Sequence, residues 1–177
     1  MRKVHVDPTP EYVRAVLDYD PETGVLRWRC RPDATKTVNT KYAGKEAGCV
    51  AKSTGYREIK IDGVPCLGHR LAFVIMTGVY PDGDLDHEDR NRANNRWKNL
   101  RPATRSQNGA NAAVQKNNVL GLKGVCVSKK GNYVTYAAHI YVDGKHLYLG
   151  CRKTPEEAAA LYAEAATKHF GNFARTA

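Results

Sequence analysis

Turn signals cut this 177-residue chain into short pieces, and that punctuation limits the folds open to it. Asp20-Pro21-Glu22-Thr23-Gly24, Asp62-Gly63, Pro81-Asp82-Gly83, Lys130-Gly131-Asn132 and Asp143-Gly144 each join residues that favour tight turns. No apolar run between them approaches the roughly 18 residues that span a bilayer. With 42% hydrophobic residues and only three Phe, no large single core is indicated. Small linked modules in the cytoplasm, with no membrane association, are the expectation. The five cysteines are scattered and form no C-x-x-C pair, so they read as reduced thiols and no structural zinc is expected. A net charge of +10 and a pI near 9.4 point to a polyanionic partner such as nucleic acid, although charge alone also fits an unrelated basic protein.

Taken in order, residues 8–18 predict a short amphipathic helix with Thr9 as cap and Pro10 in its first turn, and residues 25–29 a strand. Residues 36–55 carry little periodicity and read as a loop with a weak strand near Gly48-Cys49-Val50. Alternation around Asp62-Gly63 predicts a hairpin over 56–67. Residues 69–77 are apolar at helical spacing and end at Gly78. At the start of that helix, Arg70 is placed to meet phosphate, whereas His69 is read as structural. Residues 85–87 and 99–101 predict two brief strands, the second ended by Pro102. Thr104 and Gln107 then form an S/T-x-x-Q capping box that opens a helix over 105–114, with Asn108 in its first turns.

The stretch from Leu85 to Asn108 carries the chemistry. Asp86 and His87 are adjacent, Asn99 follows His87 by twelve residues and Asn108 by twenty-one, with N-N-R-W-K-N-L-R between. Two strands and a helix bearing these residues resemble the ββα-metal (His-Me finger) module of HNH endonucleases, in the phage and intron homing branch whose last His is replaced by Asn. The segments D-Y-D-P-E-T-G-V-L-R-W, G-Y-R-E-I-K-I-D-G and H-R-L-A-F extend the likeness over most of the first 113 residues. The resemblance implies that His87 is the general base, that Asn99 holds its imidazole, and that Asp86 and Asn108 ligate one divalent cation. Two hard oxygen donors suit Mg²⁺ or Mn²⁺. Arg70, Arg101 and Arg105 are candidate DNA contacts around the site. The implied products are a 5′-phosphate and a 3′-hydroxyl.

Beyond a joining segment at 114–120, residues 122–128, 133–142 and 145–150 predict three strands. Thr154-Pro155-Glu156-Glu157 opens a final helix whose packing face is Ala158, Leu161, Tyr162, Ala165 and Ala166. K-G-V at Lys123, Y-A-A-H-I at Tyr136, Y-L-G at Tyr148 and T-P-E-E-A-A-A-L-Y-A-E-A-A at Thr154 resemble the ethylene-response-factor (APETALA-type) DNA-binding domain. By the period of two, Tyr136, Ala138 and Ile140 would face the helix, leaving Tyr133, Thr135, Ala137, His139 and Tyr141 toward DNA, and the likeness adds Lys123, Ser128, His146 and Tyr148 as DNA-facing positions. Cys126, Ser128, Tyr141 and His146 stand where plant members often carry Arg, so no base preference carries over.

The sequence therefore predicts an α+β chain: a nuclease module at 1–113, a linker at 114–120, and at 121–177 a three-stranded antiparallel sheet packed on one helix. The expected activity is metal-dependent, site-directed cleavage of double-stranded DNA, in the manner of a phage homing or nicking endonuclease. The alternative is a DNA-binding regulator that kept the fold without the chemistry.

Overall fold

A computed structural model describes residues 7–115 and 117–176. By compactness the chain forms two units, Met1–Pro102 and Ala103–Ala177.

In the first unit, helix α1 (Pro10–Val16) starts at Thr9, whose hydroxyl accepts the Tyr12 N–H. Strands β1 (Leu17–Asp20) and β2 (Val25–Trp28) pair antiparallel, with Leu17 opposite Trp28 and Asp20 opposite Val25. Their turn is fixed by the Asp20 carboxylate, which accepts the Glu22 and Thr23 N–H groups and the Thr23 hydroxyl. Residues Lys36–Tyr42 form a helix, α2, where a loop was expected. Its cause is local: Thr35 caps it, and the Asn39 carboxamide bonds both backbone groups of Arg31.

Strands β3 (Cys49–Val50), β4 (Arg57–Ile61) and β5 (Val64–Leu67) form a sheet in that order, and α3 (Gly68–Thr77) follows directly. Val13, Val16, Leu17, Leu26, Ile59, Ile61, Leu71 and Val74 make one buried core. Strands β6 (Asp84–His87) and β7 (Leu100–Ala103) pair as a two-stranded sheet, and Leu100 joins the same core. Pro102 lies within β7 instead of ending it. In a two-stranded sheet both strands are edges, where a missing N–H need not cost a ladder bond.

In the second unit, α4 (Arg105–Asn111) begins with the Thr104–Gln107 capping box, both halves of which are present. It stops short of Val114 because the Lys123 ammonium takes the carbonyls of Gly109 (3.1 Å), Ala110 (2.5 Å) and Ala112 (2.8 Å). Strands β8 (Val125–Lys130), β9 (Tyr133–Val142) and β10 (Lys145–Arg152) form an antiparallel sheet with β9 in the middle. Helix α5 (Pro155–Phe170) covers one face. Val125, Ala138 and Ala158 make one buried cluster, and Ala110, Ile140, Tyr162, Ala166 and Phe170 another.

The first strand starts later than 122 because Gly124 has φ +69°, and a Cβ there would lie 2.1 Å from the Tyr162 ring. The division between compact units lies at Pro102/Ala103. Ala110 explains it, since α4 packs into the core of the second unit. No described helix is long and apolar enough to cross a membrane.

Candidate active site

The asparagine-rich run after β6 folds into a hydrogen-bonded knot. The Asp89 carboxylate accepts from the Asn91 N–H (2.8 Å), Asn94 Nδ2 (2.6 Å) and Asn99 Nδ2 (3.0 Å). Burial pushes the Asp89 carboxyl upward, but these hydrogen bonds outweigh it and hold it below the ordinary carboxylate value. Asn99 also receives the Asp89 N–H on its oxygen (3.0 Å) and donates to the Asn94 carbonyl (2.8 Å), while its own carbonyl accepts from the Glu88 N–H (3.0 Å). Its carboxamide is thereby committed to the loop, and the expected grip of Asn99 on the His87 ring is replaced by another contact. Asn95 Oδ1 lies 3.2 Å from His87 Nε2. Sequence reasoning missed Asn95, because nothing in N-R-A-N-N tells which Asn turns inward.

His87 is 3% exposed. His69 meets its ring edge-on at 5.1 Å between centroids and Tyr56 at 5.9 Å, with the Arg92 guanidinium over the Tyr56 ring. Burial lowers the His87 pKa; the Asn95 bond and the carboxylates of Asp89 and Asp86 oppose it without cancelling it. A neutral imidazole at neutral pH is the form a general base needs. His69 is buried with Nδ1 lacking a hydrogen-bond partner, and burial, then His87 and Arg70, push its pKa down to about 3.

The unfolded His69 ring protonates near its ordinary value while the folded ring does not, so its contribution to stability is present above about pH 6.5 and lost as pH falls toward 3. The slope is at most about 1.4 kcal/mol per pH unit, or about 2 kcal/mol by pH 5. Urea midpoints of His69→Phe between pH 7 and 5 should fall less steeply than those of the wild type by that amount. Parallel curves would show that His69 is not the source.

Asp86 is 4% exposed, and Arg101 donates to its Oδ2 through Nε (2.9 Å) and Nη2 (2.8 Å), with Glu88 4.0 Å from Nη1. Asn108 lies in the first turns of α4, partly buried. Among the described residues no cluster of three His, Cys, Asp or Glu side chains stands ready to hold a metal. A carboxylate and a carboxamide, the donor types that Asp86 and Asn108 would supply, suit a hard divalent cation that keeps most of its water. The guanidinium already against Asp86 shows that its position accepts positive charge.

Two of the expected DNA contacts turn inward. Arg70 donates to the Gly83 (3.3 Å) and Pro81 (3.4 Å) carbonyls, tying α3 to the turn before β6. Lys123 is taken up by the end of α4, and burial pushes its pKa down to about 8. Arg105 is exposed on α4. On the sheet the faces sort as expected: Ala138 and Ile140 are buried toward α5 and Tyr136 is half-buried, whereas Tyr133, Tyr141 and Tyr148 are 81%, 66% and 60% exposed. Ala137, of the outward series, is nevertheless buried. His139 stacks on His146 at 4.7 Å, with Tyr148 and Tyr141 beside them, a continuous aromatic strip. Ser128 is half-buried opposite Thr135, on the same strand row.

Residues 66–110 match the HNH endonuclease family. A protein of Acanthamoeba polyphaga mimivirus described as "Uncharacterized HNH endonuclease L560" is 35% identical over 135 residues, which cover 75% of this chain and 64% of that protein. This relative belongs to a giant virus and not to a phage. No solved structure matches the chain.

Proposed function

We propose that this chain, with an HNH endonuclease segment at residues 66–110, is a metal-dependent DNA endonuclease whose C-terminal unit selects the duplex site. The observation that carries the reading is the adjacent, buried pair of Asp86 and His87 at the end of β6, inside the matched segment. His87 takes a proton from the attacking water, and the low-dielectric walls of His69 and Tyr56 keep its ring neutral until it does. Asp86 and Asn108 would hold one divalent cation, Mg²⁺ or Mn²⁺, which polarises the scissile phosphate and stabilises the leaving 3′ oxygen. Asn99 keeps the loop between them in shape through Asp89 and Asn94. The bond broken is P–O3′, leaving a 5′-phosphate and a 3′-hydroxyl. One Asp-His-Asn-Asn set per chain cuts one strand per binding event, so a monomer nicks.

The C-terminal unit supports the site-selection half of the proposal by its charge and its surface. Residues 103–177 hold ten Lys and Arg against four Asp and Glu. The outer sheet face offers Tyr133, His139, Tyr141, His146 and Tyr148 to a groove, an arrangement in keeping with the ethylene-response-factor likeness.

Supercoiled DNA from the source genome, incubated with Mg²⁺, with Mn²⁺ and with chelator, tests the proposal. Metal-dependent conversion to open circles supports it. The Asp86–Arg101 ion pair is the observation that favours a second reading, a regulator whose metal position is filled by its own guanidinium. DNA retarded in a gel yet never cut under any metal, over a genomic library of sites, would establish that reading instead.

A further inference from the structure

We propose that a cleft beside helix α2 receives one nucleotide that has left the base stack, so that the DNA this chain cuts carries an unpaired stretch close to the cleavage point. The inference rests on the endonuclease reading above and narrows its substrate from continuous duplex to duplex interrupted by single strand. The cleft measures about 290 Å³, near the low end of small-ligand sites, and Trp28, Val38, Tyr42, Lys60 and Asp62 are among its walls. None of these residues touches the His87 ring.

Helix α2 adds nothing to the core, since none of its residues is buried. It is nevertheless firmly held, by the Thr35 cap and by Asn39, whose carboxamide bonds both backbone groups of Arg31. Val38 and Tyr42, four residues apart and so on one helix face, line the cleft. Trp28 supplies a second aromatic wall. Its N–H bonds the Lys45 carbonyl (3.0 Å), its own carbonyl accepts from the Gly44 N–H (2.8 Å), and its ring packs against the core. In a paired duplex both faces of a base are covered by its neighbours. An aromatic cleft this small therefore gains a stacking partner only from a base outside the stack.

The polar groups suit the rest of a nucleotide. The Asp62 carboxylate accepts the Tyr12 hydroxyl and lies 3.7 Å from Arg31 Nη1, which also donates to Tyr12 Oη at 3.2 Å. Arg31 and Asp62 thus offset each other and leave a fixed carboxylate, an acceptor for the N–H edge of a base. Lys60, which alternates with the buried Ile59 and Ile61, has no ion-pair partner among the described residues. Arg29 pairs with Asp18, but both side chains are more than half exposed, and a phosphate can displace so weak a partner. The Lys41 ammonium lies 5.1 Å from the centre of the Tyr42 ring.

Strand β4 joins the cleft to the chemistry. Tyr56, immediately before β4, lies 5.9 Å from the His87 ring. Lys60 is four residues further along, about 13 Å at the usual strand rise. A DNA strand passing Asp86 and His87 reaches the cleft within a few nucleotides.

The chain has two tryptophans, so Trp97→Phe leaves Trp28 as the sole indole reporter. In chelator, where binding proceeds without metal-dependent cutting, this variant of the full chain is titrated with four probes. They are a fully paired duplex, the same duplex with a short single-stranded gap, the single strand alone, and a deoxynucleoside monophosphate. The gapped duplex and the single strand should quench Trp28 fluorescence, and the paired duplex should bind without quenching. Tyr42→Ala should weaken binding of the gapped duplex about fivefold to a hundredfold, whereas Tyr42→Phe should not. Neither should change paired-duplex affinity by more than about twofold, nor the urea midpoint, since Tyr42 is exposed. Lys60→Gln should flatten the salt dependence for the gapped probe.

Quenching by the paired duplex as strong as by the gapped one, equal quenching by the monophosphate at the same concentration, or no quenching by any probe overturns the inference. So does Tyr42→Ala if it weakens both duplexes alike or neither. The two readings fail separately, because the fluorescence needs no cutting. A chain that quenches with gapped duplex but never nicks keeps the cleft and loses the endonuclease. One that nicks while Trp28 stays unmoved does the reverse.

Discussion

His87→Ala is expected to slow DNA nicking by about 10²–10⁴-fold, the usual contribution of a general base, while DNA affinity stays within a factor of about three. The loss corresponds to about 3–5 kcal/mol of transition-state stabilisation. The ring is buried among His69, Tyr56 and Asn95, so the expected loss falls on the rate and not on the affinity for DNA. Truncation of a ring this buried also leaves a cavity, so the urea midpoint of the variant must be measured beside the rate. Equal factors of loss in rate and in affinity would remove His87 from the role of base.

Asp86→Ala should abolish metal-dependent nicking, by about 10³-fold or more, because it removes the one carboxylate proposed to hold the cation. It also takes from the partly buried Arg101 guanidinium the two contacts that it makes with Asp86 Oδ2. That second effect is a stability loss of about 1–3 kcal/mol, below the full cost of breaking a deeply buried pair because the Arg101 side chain is 19% exposed. The double change Asp86→Ala with Arg101→Met separates the two. Stability should recover in the urea midpoint, whereas nicking should not return at any metal concentration. Recovery of nicking in the double variant would show that Asp86 served only to neutralise Arg101.

Local rules made much of the fold legible in the sequence. The Thr104–Gln107 and Thr154–Glu157 boxes start helices where their spacing says, and β9 covers the alternating run from Tyr133 to Val142. Helix α2 was not legible, because K-T-V-N-T-K-Y buries none of its residues and so carries no apolar period; a cap and the Asn39–Arg31 bonds hold it. At the candidate site the adjacency of Asp86 and His87 could be read directly, since both belong to one short strand. The division of labour among Asn94, Asn95 and Asn99 could not. All three are the same residue type within one loop, and only the closure of that loop around Asp89 assigns one to the ring and the others to the turn. Long basic side chains were equally opaque: Arg70 and Lys123 carry charge that sequence reasoning sends to phosphate, yet each finds backbone carbonyls within reach.

Helix α4 is only seven residues long, too short to persist by itself in water. Lys123 grips its last carbonyls, the Asp143 N–H reaches Ser106 Oγ at 3.1 Å, and Ala110 lies in a core built by β9 and α5. The matched nuclease segment, ending at residue 110, therefore borrows its final helix from the unit that carries the aromatic sheet. Recombination that exchanged the C-terminal unit for a foreign one at residue 114 would take with it the surroundings in which Asn108 is ordered. A chain that changed the outward residues of the sheet would keep the seat of α4, whereas one that traded the whole unit would keep it only if the incoming unit brought its own.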